Sequence, residues 1–386
     1  MDIVDRKLYF PLIVRQFVVH PVCAILGPRQ VGKTTLARLF SQQKYPDNAV
    51  FFDLENPIDI ARLENPILAL QSLLVQKKFI VIDEIQRRPE LFPVLRVLVD
   101  AHPEAKILIL GSASRELIQQ SSETLAGRIG YIELAPFSLQ EFTDQERLWV
   151  RGGFPRSFLA DNDESSFLWR EAYIKTFLER DIPNLGFSIP AQLVYRFWMM
   201  LCHYHGQVAN ISDLGRSLGQ TDYTMRKYLD ILVGTFMMRY LHPWFENVSK
   251  RQVKSPKVYF RDSGILFALL GLKTYEQLLH NPKLGAFWEG FALEEVIRAS
   301  GARSEECFFW ATQSGAELDL LLIQGGKRIG FKFKYADAPK ITPSMKISID
   351  DLRLDSLVVI YPGEQDFMLS DTIRACGLRT FLSSQK

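Results

Sequence analysis

Cysteine is scarce and scattered: Cys23, Cys202, Cys307 and Cys376 are the only four in 386 residues. There is no CxxC pair and no metal-ligand spacing, so the sequence offers neither a disulfide framework nor a zinc ribbon. Buried thiols in a reducing, cytoplasmic compartment are expected instead. No apolar run approaches ~18 residues, so no membrane span is expected. The first residues, Met-Asp-Ile-Val-Asp-Arg-Lys, lack the basic-then-apolar order of a signal peptide. An excess of one charge is also missing: 46 Lys and Arg against 44 Asp and Glu leave +2, which points to no class of partner. Internal repeats and low-complexity tracts are absent. What remains, 47% hydrophobic and 23% charged residues, is ordinary for a soluble globular chain long enough for two or three domains.

Against that plain background one octet stands out, Gly27-Pro28-Arg29-Gln30-Val31-Gly32-Lys33-Thr34. It follows an apolar strand signal at residues 22–26 and opens a helical pattern beginning at Thr35. Two glycines let backbone N–H groups close around phosphates, and the helix N-terminus adds a favourable field for anions. In this phosphate-binding loop Lys33 is expected to reach the β- and γ-phosphates of ATP, and Thr34 to hold Mg²⁺. Downstream, Lys78-Phe-Ile-Val-Ile-Asp83-Glu84 is a buried-strand pattern ending in two acids. Asp83 is expected to order the magnesium through water and Glu84 to polarise the attacking water, since phosphoryl transfer needs neutralised charge and an oriented nucleophile. A solvated strand end is the alternative. A third strand, residues 107–110, leads into Ser112, placed as a γ-phosphate sensor, although serines at strand ends are common.

The order of signals predicts an α/β chain. Residues 1–135 alternate strands with helical segments, the mark of a parallel P-loop sheet with crossover helices. Residues 136–189 read as a helical lid, opened by Ser138 with Glu141 three positions on. Residues 190–275 show helix, glycine turn, helix and two strands, a winged-helix order. Residues 276–386 form a further α/β unit.

Between residues 210 and 261 nine Lys and Arg face four Asp and Glu, the local excess that phosphate-backbone binding requires. Arg226 and Lys227 fall on the second helix; Lys250, Arg251, Lys254 and Lys257 fall on the wing. Packing modules also use this order, so DNA and protein partners both stay open. In the last unit, Glu289, Asp319 and Lys334 resemble the site of a restriction-endonuclease-like fold. There an Asp on one strand is followed by an acid-x-Lys triplet on the next, and here Lys332 stands where the acid belongs. A cation beside a metal site weakens it, so a nuclease-derived but inactive domain is expected.

Residues 27–35, 82–86, 110–114, 125–128, 134–138 and 152–155, with 173–183, 250–260 and 315–335 behind them, together resemble a large family of prokaryotic AAA-type ATPases with a C-terminal domain of unknown function. The resemblance implies a Mg²⁺-dependent AAA+-like ATPase, commonly a homo-oligomer such as a hexameric ring, in which an arginine from a neighbouring subunit completes the site. Arg128 is the candidate for that finger and Arg156 for a lid arginine sensing the γ-phosphate. Coupling of ATP to action on DNA through the winged helix is the leading expectation. An ATP-operated signalling or defence switch with protein partners is the alternative, and an active ATP-dependent nuclease a third.

Overall fold

The computed structural model describes residues 4–114, 123–246 and 249–385. They form two compact units. The first comprises Met1–Pro136, Thr176–Ile189 and Asp230–Phe236; the second comprises Phe137–Lys175, Pro190–Leu229 and Met237–Lys386. This differs from four consecutive segments: the lid segment expected over 136–189 divides, its last part belonging with the first unit.

In the first unit, β1 (Val22–Leu26), β2 (Ala49–Asp53), β3 (Phe79–Asp83), β4 (Ile107–Gly111) and β5 (Ile129–Glu133) form a wholly parallel sheet in the order β2-β3-β4-β1-β5. The three central strands are buried at every position, as a sheet covered on both faces requires. Successive side chains serve opposite faces. Val22, Ala24, Ile80, Ile82, Ile107 and Ile109 pack with Leu91, Leu95 and Leu98, while Cys23, Ile25, Val81 and Leu108 pack with Ile13, Phe17, Leu36 and Phe40. This is a P-loop NTPase fold. The order reverses beside β1, and the crevice at the carboxyl ends of β1, β3 and β4 is where such sheets bind ligands.

The second unit is built on one nine-stranded mixed sheet. Its strands are β6 (Gln207–Val208), β7 (Met238–Pro243), β8 (Lys257–Phe260), β9 (Cys307–Ala311), β10 (Glu317–Gln324), β11 (Lys327–Phe333), β12 (Ser356–Tyr361), β13 (Asp366–Met368) and β14 (Ile373–Gly377), in the order β13-β14-β12-β11-β10-β9-β7-β8-β6. The helix Leu284–Ser300 is apolar on most sides and buried along ten residues, as an all-round hydrophobic helix must be. The mixed sheet and this helix form the C-terminal α/β domain. Strands expected to belong to a separate wing are continuous with it, because β7 pairs in parallel with β9 at His242↔Phe308 and Pro243↔Phe309. The edge of β9, Cys-Phe-Phe-Trp-Ala, is apolar and would otherwise carry unpaired backbone groups. Among the described residues no helix is long and apolar enough to cross a membrane.

Candidate functional site

The loop at the end of β1 is fixed by backbone constraints. Gly27 lies so close to Leu134 that an added Cβ would sit 2.2 Å from its carbonyl oxygen, so only glycine fits. Gly32 has φ +98° and caps the helix Lys33–Lys44, a conformation that costs glycine nothing. Gln30 also has positive φ, at 62°. Lys33 is buried and its ammonium donates to the Gly27 and Pro28 carbonyls, both at 2.9 Å. Burial pulls its pKa below the usual lysine value, against the opposing pull of Glu84 and Asp83.

Thr34 and Asp83 meet directly: the threonine hydroxyl donates to Asp83 Oδ2 at 2.6 Å, and Oδ1 accepts from Glu84 N–H at 2.9 Å. A hydroxyl and a carboxylate are hard oxygen donors, the kind Mg²⁺ takes while keeping waters and substrate oxygens in its other positions. Burial raises the Asp83 carboxyl above its ordinary value. Glu84 has φ +55° and begins the 3₁₀ turn Ile85–Arg87. Its carboxylate accepts from Gln86 Nε2 and, at 3.3 Å, from Ser112 Oγ. Lys33, Thr34, Asp83, Glu84 and Ser112 therefore gather at one end of the sheet.

Arg29, within the loop, is held between acids. Its guanidinium donates to Asp181 Oδ1 at 2.9 Å and to both oxygens of Glu55 at 2.9 and 3.1 Å, and Arg87 donates to the same Glu55 at 2.8 Å. Burial pushes the Asp181 carboxyl up to about 6, Arg29 and Arg180 pulling the other way. No sequence motif pairs Glu55 or Asp181 with Arg29. They lie 26 and 152 positions from Arg29, and only the fold brings them to it.

Arg128, expected as a finger for a neighbouring subunit, and Arg156, expected as a lid arginine, each have surroundings of their own. Arg128 is bidentate to Asp100, Nε at 2.5 Å and Nη2 at 3.0 Å, although no acid stands near it in sequence. Arg156 is exposed on the short helix Pro155–Phe158 in the second unit.

Of the expected basic wing, Arg226, Lys227, Arg251 and Lys254 are exposed. Lys257 is not a surface cation: it is 6% exposed, bonded to Glu317 and 3.5 Å from Glu289. Lys250 holds Asp351 at 2.6 and 2.8 Å. Nor does the stretch project, since Gln313 N–H donates to Arg251 O and Val253 N–H to Ala311 O, tying it along β9.

In the C-terminal domain the residues come together, with different partners. Asp319 and Lys332 flank the paired residues Leu320 and Phe331 of β10 and β11, and the ammonium bonds Oδ1 while Phe333 N–H donates to Oδ2 at 2.9 Å. Burial alone would raise this carboxyl; Lys332 and Lys257 hold it below its ordinary value. Lys334, half-buried past the end of β11, is thus not the lysine that pairs with Asp319. Glu289 accepts from Tyr259 OH at 2.7 Å and is pushed up to about 7 by burial and by Asp319. Among the described residues no group of three or more metal-ligating side chains converges.

Residues 19–143 match the family described as an AAA domain, and residues 142–276 and 284–381 match two domains of unknown function, DUF8612 and DUF4143. An uncharacterized protein of Mycobacterium tuberculosis is 48% identical over 358 residues, spanning 92% of this chain and 79% of that protein. One of Methanocaldococcus jannaschii is 20% identical over 397 residues, spanning 94% and 86%. Among solved structures, a Walker-type ATPase of Pyrococcus abyssi superposes with a TM-score of 0.47 at 14% identity, covering 70% of this chain and 96% of that one.

Proposed function

We propose, since the chain belongs to the prokaryotic AAA-type ATPases that carry a C-terminal DUF4143 domain, that it binds ATP at residues 27–35 and hydrolyses it with Glu84 orienting the attacking water. The observation that carries this is the meeting of Thr34 and Asp83 at 2.6 Å beside Lys33 and Glu84. Loop N–H groups and the helix Lys33–Lys44 bind the phosphates. Lys33 exchanges two carbonyl acceptors within the loop for charged phosphate oxygens, which make stronger, charge-assisted bonds. Thr34 and Asp83 would hold Mg²⁺, which when bound neutralises developing phosphate charge. Arg29, fixed between Glu55 and Asp181, keeps a second cation at the loop within the same chain. A homo-oligomer sharing Arg128 across an interface belongs to the proposal only if Arg128 leaves Asp100.

The work that hydrolysis drives is directed at DNA. Support comes from the helix Ile211–Leu218, the left-handed Gly219, the helix Asp222–Gly234 and strands β7 and β8, which follow the order of a winged helix. Arg226 and Lys227 stand exposed on the second helix. The reading as an ATP-operated switch for protein partners draws on Lys250 and Lys257, whose charges are matched by acids of the same chain. With Lys332 on Asp319, the C-terminal domain binds rather than cuts. Phosphate release should be measured with and without duplex and single-stranded DNA over a salt series. Stimulation that fades with added salt is expected for phosphate-backbone contacts; indifference to DNA at every salt concentration would move the assignment to the protein-directed switch.

A further inference from the structure

We infer that Gln86 is a positioning residue for ATP hydrolysis, holding the Glu84 carboxylate against Ser112; this rests on the ATPase reading above. The side chain is fixed at both ends. Ser112 N–H donates to Gln86 Oε1 at 3.3 Å. A backbone N–H can only donate, so the carbonyl end of the amide must face Ser112, and the NH₂ end therefore faces the acid. That NH₂ donates to Glu84 and, at 2.9 Å, to Ser112 Oγ. Ser112 Oγ in turn reaches the same Glu84 oxygen at 3.3 Å. Three side chains thus close a ring of hydrogen bonds around one carboxylate oxygen.

The backbone is shaped for this ring. Glu84 sits at φ +55°, a left-handed conformation that is unfavourable for a residue with a side chain and persists only where surroundings enforce it. That kink starts the 3₁₀ turn Ile85–Arg87 and folds Gln86 back beside the residue two positions before it. Gly111, at the end of β4, packs beside it: a Cβ there would lie 3.0 Å from Leu26 Cδ2 and 3.4 Å from Gln86 Oε1. Gln86 and Ser112 also line a cavity of about 10 Å³, together with Arg29, Asp181 and Thr235. That is room for a single water; Asp181, one of the lining residues, has a buried Oδ2 with no hydrogen-bond partner among the described residues, and Glu84 itself does not line the cavity. A carboxylate that must orient one water needs its own direction fixed, and a neutral amide does so without adding charge beside it.

The test is a set of steady-state and binding measurements on the full chain. Gln86→Met keeps the length and removes both polar ends; Gln86→Glu keeps the acceptor and removes the donor. Both should lower kcat on the order of 10- to 100-fold, the usual effect of losing a group that orients a catalytic one, with KM and ATP affinity unchanged. In a Glu84→Gln background, Gln86→Met should lower the residual rate no further, because Gln86 acts through Glu84. A Gln86→Met protein with wild-type kcat, or losses that multiply in the double variant, would overturn the assignment. A wild-type chain that hydrolyses no ATP would sink the ATPase reading itself, and this one with it.

Discussion

Asp181 lies in a stretch that resembles the family, yet nothing in the sequence says that Arg29 is its partner. It is 6% exposed and its carboxyl is raised to about 6, burial outweighing the attraction of Arg29. In the unfolded chain an Asp titrates near ~3.9, so between these values the folded protein binds the extra proton. Its contribution to stability is therefore fullest below pH ~4 and is lost as pH rises through about 6. Compared with Asp181→Asn, which has no such titration, wild type should lose relative stability between pH 4 and pH 7 in urea denaturation; a gap constant across that range would refute the assignment. Lys33, Thr34, Asp83 and Glu84 were legible in sequence because each stands at a fixed distance from a strand end. The partner of Arg128 was not, because Asp100 lies 28 positions away on another element. The same blindness made Lys257 look like a surface charge.

At the scale of elements, strands whose every residue is apolar were readable as buried and parallel, and the helices between them as crossovers. Pairing across long separations was not: nothing local says that the end of β7 joins β9 and turns an expected wing into an inner part of one sheet. That junction explains the cluster beneath it. β8 supplies Lys257, the helix Leu284–Ser300 supplies Glu289, and β10 supplies Glu317, so one cation ties three elements together. Removing it leaves Glu289, whose side chain is 18% exposed, without its compensating charge. Lys257→Met should cost about 3 kcal/mol at pH 8, the low end for breaking a buried pair, since the Glu317 side chain is 38% exposed. The loss should shrink below pH 7, where Glu289, raised to about 7, takes up a proton and no longer needs the lysine. A chemical-denaturation midpoint unmoved at pH 8 would show that the cluster contributes nothing to holding the sheet.

For the whole molecule, two compact units take the place of four segments in a row. The chain leaves the first unit at Pro136 and returns to it over Thr176–Ile189 and Asp230–Phe236. Asp181 enters the nucleotide unit on one of these returns, so residues far beyond the P-loop sheet help to fix Arg29 within it. The same molecule carries a C-terminal sheet in which Lys332 is paired with Asp319, and the proposal for the chain as a whole is that it hydrolyses ATP at the loop of its first unit. That central claim is tested most directly by ATP binding and phosphate release measured together on wild type, Lys33→Ala and Glu84→Gln. Wild type should bind and hydrolyse, Lys33→Ala should do neither, and Glu84→Gln should bind ATP as wild type does while losing turnover by on the order of 100-fold or more. Glu84→Gln hydrolysing at the wild-type rate would contradict the account.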